Sequence, residues 1–140
     1  MSTYTFNHTL VTFVYSGARI TGFADGTSIK IEANEDRYNL VVGADGLAAR
    51  ARTQNKSAKI TVSLMPNSVG NRIFDAAAKL DDQTDAGALP FAITDPSIGD
   101  LYIGTAWVSK EPGREFGKDI NPIEWVLETG ELLAVHGSAL

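Results

Sequence analysis

Hydrophobic and polar residues alternate along much of the chain, with the period of two that is typical of β-strands with one buried face. The clearest stretch is 58–64, where every second residue is apolar and the residues between are Lys, Thr and Ser. Other such stretches lie at 29–32, 38–42, 91–94, 101–107 and 123–128. Two Asp-Gly pairs, Asp25-Gly26 and Asp45-Gly46, lie before or between such stretches and tolerate the positive φ of tight hairpin turns. The pattern predicts a meander of antiparallel strands.

One segment has helical periodicity instead. Within residues 69–80, apolar residues recur at spacings of three and four, which predicts a helix over about these residues. Asn67 or Ser68 is expected to be its N-cap. The acidic pair Asp81-Asp82 follows this predicted end, where its charge is unfavourable because negative charge at a helix C-terminus opposes the macrodipole. A polar loop is then expected over residues 81–87.

The length of 140 residues is that of one domain, and no long linker separates the periodic segments. We therefore expect a single domain over residues 1–140. The polar residues 1–9 are expected to form a flexible arm. Residues 111–122 contain two prolines and two glycines, and a loop of this length within a small domain is often an interaction element.

The composition excludes several classes of protein. With 44% hydrophobic and 21% charged residues, the chain has the composition of a globular domain rather than a disordered one. The absence of cysteine excludes disulfides, thiolate zinc sites and a cysteine nucleophile. A formal net charge of −5 argues against a general nucleic-acid binder. Neither a long apolar span nor a signal-peptide pattern occurs, so no membrane association is expected.

The chain contains no arrangement of residues that is typical of a catalytic site. His8 and His136 lie near opposite ends of the sequence, and neither a nucleophile elbow nor a glycine-rich phosphate loop is present. The cluster of Asp81, Asp82 and Asp85 lacks the Gly and Glu that an EF-hand calcium loop requires, which favours a solvated acidic loop. We expect no enzymatic activity, no cofactor and no metal site.

Two further sets of residues allow more than one interpretation. Arg50 and Arg52 alternate with alanines, so both guanidinium groups are expected on one strand face, with Lys59 across from them on the next strand. This basic row is either a phosphate-binding patch, a solvated strand face or a surface for pairing with an adjacent subunit. Trp107 and Trp125 allow a sugar-stacking platform, although their apolar neighbours favour positions in the core.

Short motifs occur in a characteristic order along the chain. They are Ile20-Thr21-Gly22-Phe23-Ala24-Asp25-Gly26, Asp36-Arg37-Tyr38, Gly43-Ala44-Asp45-Gly46, Asn55-Lys56-Ser57 before the strand at 60–64, Ser68 with Asn71, Asp95-Pro96-Ser97, Trp107, Pro112, Phe116 and Pro122-Ile123-Glu124-Trp125. In order and spacing, these motifs resemble a family of tail tube proteins that is found mainly in contractile-tailed bacteriophages. The resemblance extends over essentially the whole chain.

The resemblance implies a mainly β fold, namely an antiparallel β-sandwich or half-barrel flanked by one α-helix. It also implies a structural protein of the virion, made in the cytoplasm of the host bacterium. Six copies would close into a ring around a lumen, and stacked rings would form a tube through which viral DNA passes without specific binding. Tail sheath, baseplate and tail terminator proteins would be its other partners.

The resemblance leads to specific expectations about contacts between subunits. Since a basic lumen would hold DNA, we expect Arg50, Arg52 and Lys59 to form intersubunit salt bridges instead. Arg114 and Phe116, in the long loop, are further candidate intersubunit contacts. Two alternatives stay open: a related tail or baseplate component or the tube of a phage-derived injection apparatus, and a small β-sandwich carbohydrate-binding module.

Overall fold

The structure is a computed structural model that describes residues 10–26 and 28–136, so the flexible arm expected over residues 1–9 lies outside the described residues. Its elements are β1 (Thr12–Tyr15), β2 (Ala18–Ile20), β3 (Ile29–Ala33), β4 (Tyr38–Val42), β5 (Ala48–Arg52), β6 (Ala58–Leu64), α1 (Gly70–Thr84), β7 (Leu89–Asp95), β8 (Asp100–Lys110), β9 (Ile123–Thr129) and β10 (Leu133–Val135). Every stretch with alternating hydrophobicity forms a strand. The mainly β fold with a flanking helix is therefore confirmed.

Eight of the described strands form one antiparallel sheet. Its order is β2-β1-β7-β8-β9-β6-β3, and β10 pairs with β8. The hairpin β1–β2 and the run β7–β8–β9 follow the chain as a meander does, whereas β6 pairs with the distant β9. This order leaves β2 and β3 as the two end strands of the sheet, as far as the described residues show.

One face of the sheet packs against α1 and forms the core. The aromatic ring of Phe74, in the helix, is fully buried and contacts the rings of Phe13, Tyr15 and Trp125. The ring centroids lie 6.1, 5.3 and 5.5 Å from that of Phe74 in edge-on or tilted orientations, which stabilise aromatic pairs beyond the area they bury. Phe74 therefore joins the helix to strands β1 and β9.

The helix extends one turn beyond its predicted end. The predicted end at about residue 80 is wrong because the helix continues through Asp81, whose carboxylate has a hydrogen-bond partner beyond the helix. Its Oδ1 atom accepts a hydrogen bond of 3.1 Å from the amide of Gly87. The helix ends instead at Asp85, which has a φ of 56° and donates its amide to the carbonyl oxygen of Asp81 at 2.9 Å.

Hydrogen bonds of side chains next to the first helical turn hold the start of the helix against the sheet. Val69, rather than Asn67 or Ser68, is in the N-cap position, so that prediction is wrong by one residue. Ser68 still contributes, because its hydroxyl donates to the carbonyl of Thr21 and accepts the amide of Gly70 at 3.1 Å.

Asn71, one residue further along, links the first helical turn to β9. Its side-chain oxygen accepts a hydrogen bond of 2.8 Å from the indole nitrogen of Trp125, and its amide donates to the carbonyl of Met65 at 2.9 Å. These bonds fix the position of the helix N-terminus against the end of β6.

Candidate interaction surfaces

Strands β4 and β5 form a two-stranded ribbon, residues Tyr38–Arg52, which we call the arm. Five residue pairs run from Tyr38 opposite Arg52 to Val42 opposite Ala48, and neither strand pairs with any other described strand. Gly46 has a φ of 86° in the turn, where Leu47 accepts the amide of Gly43 at 2.8 Å. The Asp-Gly signal in the sequence therefore marks the tip of the arm.

The arm is a continuation of the β3–β6 pair beyond the end of the sheet. Past the pair Ala33–Ala58, the amide of Asn34 donates to the carbonyl of Ser57 at 3.1 Å. Further out, the amide of Thr53 donates to the carbonyl of Arg37 at 2.8 Å. The arm thus leaves the body of the subunit at the end strand of the sheet.

Large apolar side chains of the arm are exposed to solvent. The exposed fractions are 69% for Leu40, 64% for Val41, 59% for Val42 and 73% for Leu47. The alternation at 38–42 predicts one buried face, and for the subunit this is wrong because no second layer of the described residues covers the ribbon. An isolated two-stranded hairpin is marginally stable in water. The arm therefore has the apolar composition that is typical of a strand pair covered by a further layer of protein.

The two arginines of the arm lie on one face, as predicted. Arg52 pairs with Tyr38 and Arg50 with Leu40, and the Arg50 guanidinium lies 4.2 Å from the centroid of the Tyr38 ring. That face is basic and apolar. The opposite face is uncharged and consists of Asn39, Val41, Ala49 and Ala51.

Lys59 does not lie across from these arginines, contrary to the prediction. It is on β6 in the main sheet, where it pairs with Glu32 of β3 and Glu128 of β9. The reason is that β6 continues the line of β5 instead of turning back beside it. The basic row expected from the sequence is therefore divided between two separate surfaces, and Lys59 has two carboxylates as cross-strand neighbours.

The connection from β8 to β9 spans residues 111–122 without helix or strand. It exposes Phe116 and Ile120, with 85% and 73% of their surfaces accessible. The guanidinium of Arg114 lies 5.0 Å from the centroid of the Phe116 ring. This loop presents an aromatic and an aliphatic side chain to solvent, and aromatic side chains are enriched at protein–protein interfaces.

A cleft of about 550 Å³ separates this loop from the start of the helix. Its walls include Pro66, Val69, Arg72, Glu111 and Arg114. A hollow of about 360 Å³ adjoins it beneath the loop and shares Pro66, Asn67 and Arg114 with it. We call the two together the end cleft.

The remaining candidates from the sequence do not come together as a chemical site. Trp125 is buried and bonded to Asn71, whereas Trp107 is partly exposed on the opposite face of the sheet beside Glu128, so the two indoles do not form a shared platform. The Nδ1 atom of His136 lies 3.4 Å from Oδ1 of Asp100.

Within residues 10–26 and 28–136, no cluster of potential ligands is placed to hold a metal ion. In the same residues, no helix has the length and hydropathy needed to cross a bilayer.

Sequence reasoning missed the apolar residues of the arm and Val69 in the cleft. A signal was available, because Val41 is apolar on the face that the alternation at 38–42 assigns to solvent, so both faces of β4 carry large apolar side chains. A strand that is apolar on both faces is typical of burial on both sides. In this subunit, however, the described residues bury neither face.

Comparisons with known proteins agree with this architecture. Residues 1–137 match the protein family described as bacteriophage PhiTE tail tube protein. Structural protein ORF10 of Pseudomonas phage KPP10 is 27% identical over 143 residues, which cover 97% of this chain and 83% of that protein.

Two solved structures share the fold at low sequence identity. The PVC sheath/tube terminator of an extracellular contractile injection system, in its extended state, has a TM-score of 0.64 and 12% identity and covers 96% of this chain and 99% of its own. The anti-feeding prophage cap, a tube terminating cap, has a TM-score of 0.62 and 12% identity, with coverages of 98% and 95%. Because the family match spans nearly its whole length, the chain belongs to the bacteriophage PhiTE tail tube protein family and is a structural protein of the phage virion.

Proposed function

We propose that the protein assembles into hexameric rings that stack into the tail tube, and that the arm is a principal contact between copies. The observation that carries this proposal is the exposure of the arm. Four large apolar side chains are 59–73% exposed on a ribbon that extends beyond the sheet. Covering them in an assembly removes apolar surface from water, which is the main driving force of protein association.

The ends of the sheet suggest how a ring closes. Strands β2 (Ala18–Ile20) and β3 (Ile29–Ala33) end the strand order, and an unpaired strand edge is a template for pairing with another chain. If β3 of one copy pairs with β2 of the next, the sheets of all copies join into one barrel without free edges. The lateral contacts of a ring would then use surfaces that the arm does not occupy.

The charges of the sheet are consistent with a lumen that conducts DNA without specific binding. Lys59, the lysine of the predicted basic row, pairs with Glu32 and Glu128 on neighbouring strands. The chain as a whole carries a formal charge of −5. Because DNA affinity depends on uncompensated basic residues near phosphates, this arrangement keeps binding to the sliding DNA weak. The intersubunit role of Lys59 stays a prediction.

The remaining contacts of the protein follow from its place in a tail. Arg50 and Arg52 of the arm, together with Arg114 and Phe116 of the loop, would contact neighbouring copies. Tail sheath, baseplate and terminator proteins would bind the outside and the ends of the tube, and no catalytic role is proposed. A tube terminator is a second candidate, since two of the similar solved structures are terminating components, whereas a third is a sheath-tube complex. A terminator would form single rings that do not extend.

The arm provides the test of this proposal. The arm variant Leu40→Ser/Val42→Ser/Leu47→Ser exposes nothing new in the isolated subunit, so its free energy of unfolding is expected to change by about 0.5 kcal/mol or less. Its assembly into tubes, followed by sedimentation velocity and negative-stain electron microscopy, is expected to be lost. The control Leu133→Ser/Val135→Ser alters two similarly exposed apolar residues on β10 and is expected to assemble. An arm variant that assembles like the wild type would refute the role of the arm, and a wild-type protein that forms neither rings nor tubes would refute the assembly itself.

A further inference from the structure

The arm and the end cleft lie at opposite ends of the same strand. The arm joins the sheet where β6 begins at Ala58, and the cleft begins just after β6 ends at Leu64, with Met65 and Pro66 in its walls. Seven residues of strand separate the two ends by about 20 Å. One subunit therefore presents a projecting element at one end and a recess at the other.

The recess is of a size that receives side chains of the arm. The cleft measures about 550 Å³ and the adjoining hollow about 360 Å³. Both values lie within the range of roughly 300–1,000 Å³ that is usual for pockets holding a drug-sized ligand. Two strands of a ribbon lie about 5 Å apart, so that its tip is narrow enough to enter such a recess.

The apolar groups on the two surfaces match. Leu47 at the arm tip is 73% exposed, and the border of the end cleft exposes 64% of Val69 and 73% of Ile120. Phe116, which is 85% exposed, lies on the same border. Each surface thus has large apolar groups that the described part of its own subunit leaves exposed.

The charges on the two surfaces are opposite. The arm contains Arg50 and Arg52 against a single carboxylate, Asp45, which gives it a formal charge of +1. The end cleft is lined by four carboxylates and two arginines, namely Asp75, Glu111, Glu115, Asp119, Arg72 and Arg114. Because Asp75 forms a salt bridge of 2.9 Å with Lys79, which is not in the lining, the cleft keeps a net charge of about −1. Complementary charge favours the encounter of these two surfaces over contact of either surface with itself.

We propose that the end cleft receives the arm of a second copy of this chain, so that copies join head to tail. This inference rests on the proposed function and assigns the contact between successive rings to a specific pair of surfaces, while the sheet edges make the contacts within a ring. A contact between two different surfaces leaves an arm free at one end of the assembly and a cleft free at the other. Such contacts produce an open filament that can be extended at its ends, as a tube made of stacked rings can.

Cysteine cross-linking tests which surface the arm touches, and the chain contains no cysteine of its own. Leu47→Cys is combined with Val69→Cys, Phe116→Cys or Ile120→Cys in three double variants, since a disulfide requires Cα atoms within about 7 Å of each other. At least one oxidised variant is expected to give a ladder of covalent oligomers that a reductant collapses. The control Leu47→Cys/Leu133→Cys places the second thiol on β10 and is expected to give no ladder.

The outcomes separate this inference from the proposed function. Tubes that form with no ladder from any cleft variant, or with a ladder from the control instead, would overturn the arm–cleft contact and leave the tube function standing. A wild-type protein that forms neither rings nor tubes would overturn both.

A mixing experiment tests the head-to-tail arrangement without cross-links. The arm variant is paired with a cleft variant, Val69→Asp/Ile120→Asp, whose substitutions are at exposed positions. Each alone is expected to stop at single rings, because each lacks one of the two surfaces. Mixed in equal amounts, they are expected to form stacks of two rings, since the intact arms of one fit the intact clefts of the other. Long tubes from the cleft variant alone, or no two-ring stacks on mixing, would contradict the arrangement.

Discussion

Reversing the charge of the arm is expected to weaken assembly by an amount that follows from the exposure of its two arginines. Arg50 and Arg52 are solvent-exposed on one face of the ribbon. In an assembly they would face carboxylates of a neighbour, and an exposed ion pair contributes about 0.2–1 kcal/mol. Replacing both by Glu converts attraction into repulsion of similar size, or about 2 kcal/mol per contact for the pair. Since 1.4 kcal/mol is tenfold, the concentration at which tubes appear is expected to rise about 30-fold.

Salt concentration identifies the cause of that rise. The Debye length falls from about 10 Å at 0.1 M salt to about 3 Å at 1 M, so the difference between the Arg50→Glu/Arg52→Glu variant and the wild type is expected to shrink to a few-fold in high salt. Pelleting of tubes over a concentration series at each salt concentration measures it. The free energy of unfolding, measured in urea, is expected to stay within about 0.5 kcal/mol of the wild type.

Two control variants separate charge from packing. Arg50→Gln/Arg52→Gln removes the attraction without adding repulsion, so about half of the free-energy change of about 2 kcal/mol is expected. Arg50→Lys keeps the charge but weakens the stacking on Tyr38, where the guanidinium lies 4.2 Å from the ring centroid, and only a small, salt-independent shift is expected. Reversal variants that form tubes at the wild-type concentration, with unchanged salt dependence, would refute the assignment of these arginines to the interface.

Two further predictions concern the subunit itself. Gly22 has a φ of 76°, and a Cβ atom there would lie 2.7 Å from the Cβ of Ser68, so Gly22→Ala is expected to lower the free energy of unfolding by about 2–5 kcal/mol. Gly46→Ala, with a φ of 86° and open space around it, is expected to cost only about 1–2 kcal/mol, and equal losses in urea unfolding would contradict the role of Ser68. Burial, and to a lesser extent the charge of Asp81, raise the pKa of Tyr15 from 10.0 to about 12, so the phenol ionises more readily in the unfolded chain. Stability is therefore expected to fall by about 2–3 kcal/mol between pH 10 and 12, and Tyr15→Phe is expected to flatten this decline; an unchanged slope in the variant would contradict it.

The local structure of the subunit was largely predictable because its determinants are local. The strands at 58–64 and 123–129 bury alternate side chains against one core, so their hydrophobic pattern reports their structure directly. The pairing of β6 with β9 was not predictable in this way. No short-range signal specifies which distant strand is the neighbour, and the helix and two strands intervene along the chain.

Errors in the prediction arose where a residue's partner is distant or belongs to another surface. The helix continues past Asp81 because its carboxylate binds the amide of Gly87, a contact that helix propensity does not contain. Lys59 was assigned beside Arg50 because consecutive strands usually pair, whereas here β5 and β6 lie in line. The pattern of Tyr38–Val42 predicted a strand correctly but a buried face wrongly, since no second layer of the described residues covers it.

Assembly of the purified wild-type chain is the most direct test of the central claim, that this is a self-associating subunit of a tail tube. Negative-stain electron microscopy over a concentration series, with sedimentation velocity on the same samples, measures both the shape and the size of the particles. We expect hollow tubes or rings with sixfold symmetry, in amounts that increase with protein concentration. A monomeric globule at every concentration would contradict it.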